Sequence, residues 1–134
     1  MESLQRIADR IKKAKQVAIF VHMRPDGDAL GSALSLACAL DYLGIGNEVC
    51  VETDLPSNLL FIDGLQSVKK SPTKEYDLLI TLDSSDEQRL GALLDEFNRA
   101  KRKIWAQLWL ILCWLNTGMT VFTGIVLGYL PQFA

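Results

Sequence analysis

Histidine is nearly absent from this sequence: His22 is the one example in 134 residues. A site built from several histidines, or a mechanism passing protons between two of them, is therefore excluded within the chain. Cysteine is scarce too. Cys38, Cys50 and Cys113 are odd in number and form no C-x-x-C pair, which excludes a disulfide framework and a zinc knuckle and fits a reducing compartment. There is no basic excess, since 14 Lys and Arg face 16 Asp and Glu for a formal net charge of −2. Any grip on a phosphate backbone has to be local. The opening MESLQRIADRIKK is charged and amphipathic, unlike a secretory signal. Charge itself runs out. Every charged residue lies between Glu2 and Lys103, and residues 105–134 carry none, with all three tryptophans among them.

What is present is enough for one globular domain: 49% hydrophobic and 22% charged residues over 14.9 kDa. The break in composition divides the chain into a polar body, residues 1–104, and an apolar tail, residues 105–134. In the body, Leu4, Ile7, Ala8 and Ile11 fall at helical spacing. Val17-Ala18-Ile19-Phe20-Val21 is a solidly apolar run, as expected of a strand buried on both faces. After Pro25 and Gly27, residues 29–43 are dense in Ala and Leu and stop at Gly44, which reads as a helix with a glycine end. Glu48-Val49-Cys50-Val51 reads as a second strand, Leu59-Leu60-Phe61-Ile62 as one or two helical turns, and residues 77–82 as a third, buried strand. Residues 86–100 read as a helix with Leu90, Leu93, Leu94 and Phe97 on one face. This alternation predicts an α/β fold, a parallel sheet covered by helices.

Two loops carry chemistry, and each follows a predicted buried strand. The first runs His22-Met23-Arg24-Pro25-Asp26-Gly27-Asp28-Ala29-Leu30-Gly31-Ser32; the second is Asp83-Ser84-Ser85-Asp86, followed by Arg89-Leu90-Gly91. In open parallel sheets ligands bind beyond the carboxyl ends of the strands, so both loops are expected at one crevice. His22, Asp26 and Asp28 offer a nitrogen and two carboxylates, and Asp83 adds a third. That set suits Mn²⁺ or Mg²⁺ better than structural zinc. The bland explanation is that these acids cap turns and helices, a role Asp fills by hydrogen bonding. Two acid-rich loops on two parallel strands, with a histidine in the first, favour metal over capping alone. Gly31 and Ser32 offer backbone donors for a phosphate, or else simply allow close helix–sheet packing.

The string His22-x-x-Pro25-Asp26-Gly27-Asp28-Ala29-x-Gly31-Ser32, with Asp83-Ser84-Ser85-Asp86 and Arg89-Leu90-Gly91, closely resembles the DHH phosphoesterase superfamily. The nearest likeness is the branch of bacterial oligoribonucleases and 3′,5′-bisphosphate nucleotide phosphatases, related to RecJ-like exonucleases, and it covers about residues 1–103. The resemblance implies hydrolysis of short oligonucleotides or 3′-phosphorylated nucleotides in the cytoplasm, with two Mn²⁺ ions in the family. It implies His22, Asp26 and Asp28 as metal ligands and Asp83 as the bridging one. Asp86 and Arg89 are read as supporting or helix-cap residues. The chain departs from the family after the next strand. There the family carries Asp-His-His, whereas this sequence has Trp105-Ala106-Gln107-Leu108-Trp109. One metal rather than two, and impaired turnover, are the expectation.

The tail has three readings. Residues 105–130 are long enough to cross a bilayer core of ~20 residues, with Arg99, Lys101, Arg102 and Lys103 flanking them on the cytoplasmic side. Against this, Asn116-Thr117-Gly118 interrupts the middle. Two shorter segments docked on the body, or a C-terminus displaced by truncation, rearrangement or frame change, are the other two. The rival to the enzyme is thus a non-catalytic, membrane-anchored or partner-binding module that keeps the fold, and a homodimer is compatible with either.

Overall fold

Gln16–Val21 is buried at every position after the first, and in the computed structural model of the chain it is an inner strand of a wholly parallel sheet. The structure describes residues 4–82 and 86–106; Asp83, Ser84 and Ser85 and the tail from 107 onward, Cys113 included, lie outside the described residues. The element order is α1 (Leu4–Lys13), β1 (Gln16–Val21), α2 (Gly27–Tyr42), β2 (Gly46–Cys50), β3 (Leu78–Leu82), α3 (Leu93–Arg99) and β4 (Lys103–Ala106), with short 3-10 turns at Ser57–Leu59, Leu65–Ser67 and Glu87–Leu90. Strand order is β2-β1-β3-β4.

Alternation along the strands sorts the side chains into two cores. Val17, Ile19 and Val21 join Val49, Val51, Leu78, Ile80, Leu82 and Ile104 beneath α1 and α2. Ala18, Phe20, Cys50 and Leu79 face the opposite way, against Leu90, Leu93 and Phe97. The α/β expectation holds, as three layers. A strand covered on both faces has no wet side to carry polar residues, which is why β1 reads as an unbroken apolar run.

Several boundaries differ from the sequence reading. The helix expected over residues 86–100 is two pieces, a 3-10 turn and α3, broken at Gly91, which has φ +61 and ψ −130. No L-residue helix passes through that conformation. The helix expected from residue 29 begins at Gly27, with Asp26 as its N-cap. β4 extends to Ala106, pairing Thr81 with Trp105 and Leu82 with Ala106, so the first two residues assigned to the tail belong to the sheet. Trp105 also meets Phe97 edge-to-face, with ring centroids 5.3 Å apart.

Candidate metal centre

The chain leaves β1 to form β2 on one side, then returns to place β3 on the other. Neighbouring strands whose connections diverge in this way open a crevice at their carboxyl ends. β1 and β3 finish level, at the pair Val21↔Leu82, so the segments that follow them leave the sheet at the same height.

His22 follows β1 directly and is 2% exposed. Its Nδ1 lies 2.7 Å from the Met23 carbonyl oxygen and 3.2 Å from Arg89 Nη2. Both contacts hold the ring by Nδ1, with a backbone acceptor on one side and a guanidinium donor on the other. A ring nitrogen tied to the backbone, fixing the tautomer of the other, is the arrangement that orients a metal-ligating histidine.

The next residues are held by the neighbouring loops. Met23 N–H donates to the Arg89 carbonyl at 2.7 Å, which joins the two acid-rich segments directly. Arg24 N–H donates to Thr53 Oγ1 at 2.9 Å. That bond fastens Arg24 at φ +51, a left-handed conformation unfavourable for a side chain and doubly so before a proline. The loop is thus fixed between the ends of β2 and β3.

Asp26 does cap α2: one carboxylate oxygen accepts Ala29 N–H at 2.8 Å. Capping uses one oxygen and leaves the other for a second role, so the two explanations for this residue do not compete. Asp28 is exposed on the first turn of α2. Gly31 and Ser32 sit one turn inside the helix, where N–H groups point to carbonyls four residues back. A Cβ on Gly31 would meet nothing within 4 Å, so close packing is not what requires glycine there. Asp86 accepts Gln88 N–H at 3.0 Å, as a cap. Among the described residues no three His, Cys, Asp or Glu side chains come together closely enough to hold an ion. Asp83, the expected bridging ligand, lies outside them.

One residue at this edge escaped the sequence reading. Glu52, just beyond β2, carries a buried oxygen, Oε2, with no hydrogen-bond partner among the described residues. It packs against Gly91, where an added Cβ would overlap it. The available signal was the rule applied to the other loops, an acid immediately after a parallel strand. Thr81, fully buried on β3, has a hydroxyl that likewise finds no partner among the described residues.

A three-layer parallel sheet with a backbone-oriented histidine and a capping aspartate at its carboxyl edge defines the class, an α/β domain with a phosphoesterase-type fold. The chain belongs to the DHH family: the family's N-terminal domain matches residues 16–106. That family is metal-dependent. The solved structure of an exopolyphosphatase-related protein from Bacteroides fragilis superimposes with a TM-score of 0.72 at 20% identity, covering 90% of this chain and 50% of the other. At that identity the likeness is one of fold, and the chain spans about half the length of that protein.

Proposed function

We propose that this chain is the metal-binding N-terminal domain of a cytoplasmic, manganese-dependent phosphoesterase whose substrates are short oligonucleotides or 3′-phosphorylated nucleotides. The observation that carries the reading is His22, buried at the end of β1 with Nδ1 tied to the Met23 carbonyl. With Nδ1 so engaged, Nε2 is the donor a divalent ion requires. The donor set of one imidazole and several carboxylates fits Mn²⁺, with Mg²⁺ next. His22, the second carboxylate oxygen of Asp26, Asp28 and Asp83 would hold the ion. A divalent ion in such a site neutralises charge on a phosphoester and lowers the pKa of water. The chain's own contribution is to fix those donors on rigid strand ends.

The sequence after β4 favours a second reading of this particular chain. It continues Gln107-Leu108-Trp109, with no acid or histidine where the resemblance places Asp-His-His. A non-catalytic module that keeps the fold and binds metal is then the expected behaviour. Misplacing a reacting group by ~1 Å costs ~100-fold in rate, and a lost ligand does more. Hydrolysis of dinucleotides or 3′,5′-bisphosphate nucleotides at saturating Mn²⁺ should be negligible, and steady turnover abolished by Asp83→Ala overturns this second reading.

Calorimetric titration with Mn²⁺ tests the metal site. The chain should take up at least one ion, and Asp83→Ala should weaken uptake far more than Asp86→Ala, because Asp86 is spent on capping Gln88. Equal effects of the two substitutions sink the assignment.

A further inference from the structure

We propose that Arg89 is a substrate-binding residue whose guanidinium takes a phosphoryl oxygen beside the metal, an inference that rests on the metal reading above. Its backbone is anchored: Arg89 N–H donates to the Asp86 carbonyl at 3.1 Å, and its own carbonyl accepts Met23 N–H at 2.7 Å. The residue is largely exposed, yet its guanidinium reaches back to buried His22 rather than out into water. Its Nη2 lies 3.2 Å from His22 Nδ1, the same ring nitrogen that faces the Met23 carbonyl at 2.7 Å, so the guanidinium shares that nitrogen with the backbone. No carboxylate draws it there, since no ion pair to Arg89 is found among the described residues, where Lys70–Asp54 and Arg99–Glu96 are the pairs present.

A guanidinium held against a candidate metal ligand puts two positive charges within one crevice. They repel unless an anion lies between them, and a phosphoryl group is the anion that suits both. It offers oxygens to a divalent ion and to the planar fork of an arginine at the same time. The Met23–Arg89 backbone bond brings the loop after β1 to the same edge, so the guanidinium is presented beside His22.

The full 134-residue chain and its Arg89→Gln and Arg89→Lys variants test this. Metal uptake is read from the paramagnetic signal of free Mn²⁺, and anion binding from ³¹P shift titration of adenosine 3′,5′-bisphosphate in Mg²⁺. Arg89→Gln should weaken bisphosphate binding about 10- to 100-fold, the loss expected for charge-assisted bonds, and Arg89→Lys should recover part of it. Mn²⁺ affinity should be unchanged or higher in Arg89→Gln, since a neighbouring cation is gone. Were Arg89 only a prop for His22, Mn²⁺ affinity would fall in Arg89→Gln, and that result overturns the proposal. So does unaltered bisphosphate affinity in Arg89→Gln with metal binding intact, an outcome that spares the metal reading. Bisphosphate binding that depends on Arg89 in a chain retaining no metal overturns the metal reading and upholds the arginine's role. A wild-type chain that binds no bisphosphate overturns the proposal outright.

Discussion

Gly91 shows how much one residue can decide. It ends the 3-10 turn at φ +61 and ψ −130, and a Cβ there would overlap the Glu52 carboxylate and crowd Met23 Sδ at 2.8 Å. Gly44 has φ +73 but open space around it. Gly44→Ala should therefore cost about 1 kcal/mol, the left-handed penalty alone, whereas Gly91→Ala adds displacement of two side chains and should cost at least ~3 kcal/mol. Denaturant melts of the two variants check the order. The cysteines divide in the same way. Burial, then the charges of Glu48 and Glu96, push the Cys50 thiol up to about 12, while Cys38 is exposed. A thiol reagent at neutral pH should modify Cys38 at once and reach Cys50 only on unfolding. Mass spectrometry of the alkylated chain reads both. The residue types of the site were legible: an isolated histidine and clustered aspartates after apolar runs are visible in the letters. Their ties were not. That Met23 N–H finds the Arg89 carbonyl depends on β1 and β3 pairing across 60 residues, which no local pattern encodes.

Elements were legible where a single force dominates. Double-sided burial writes β1 and β3 as apolar runs, and Leu and Ala periodicity marks α2. The helix over residues 86–100 failed because its leucines keep helical spacing through Gly91, while backbone geometry breaks it there. β4 was obscured by its opening lysine and by the uncharged sequence after it. Yet β4 is fastened on three sides. Ile104 is buried in the first core, Trp105 stands against Phe97, and Arg10 donates to the Lys103 carbonyl at 2.9 Å. A chain ended after Ala106 should keep the fold and gain solubility, since removal of residues 107–134 takes away a stretch with no charged residue and two tryptophans. One ended after Arg102 should lose ~3 kcal/mol or more, from uncovering Ile104 and stripping Phe97. Thermal melts and sedimentation of the two truncations separate these outcomes. Among the described residues no helix is long and apolar enough to cross a membrane, and the tail's three readings rest on residues beyond them.

At the scale of the whole molecule, acid should unfold the domain through a few carboxylates. Burial alone would raise Asp77, but backbone N–H groups of Gln16 and Lys15 outweigh it and hold the carboxyl below its ordinary range. Glu48 is lowered likewise, by the Thr73 hydroxyl and the Thr73 and Lys74 backbone against a burial effect of opposite sign. Glu96 is lowered by Tyr76 and Arg99. A carboxylate depressed in the fold stabilises it above the unfolded value of ~4, and that stability disappears as pH falls through the folded value. Melting temperature should be level above about pH 5 and drop below about pH 4, and Asp77→Asn should flatten the drop while lowering the plateau.

The strand order also sets a timetable. β1 must sit between β2 and β3, and β3 begins at Leu78, so this buried strand waits for much of the chain before its second neighbour exists. Pairings this distant in sequence form late on a folding route. The crevice lies where β1 meets β3, and on the metal reading its donors would come from the loops that follow both strands. On that reading a cation would have nothing to grip until the seam has closed. On the metal reading, Mn²⁺ should leave the refolding rate unchanged and slow unfolding alone, the signature of a contact absent from the transition state. Stopped-flow rates with and without the ion decide it, and a faster refolding limb would mean that the aspartate loops find one another before the strands do.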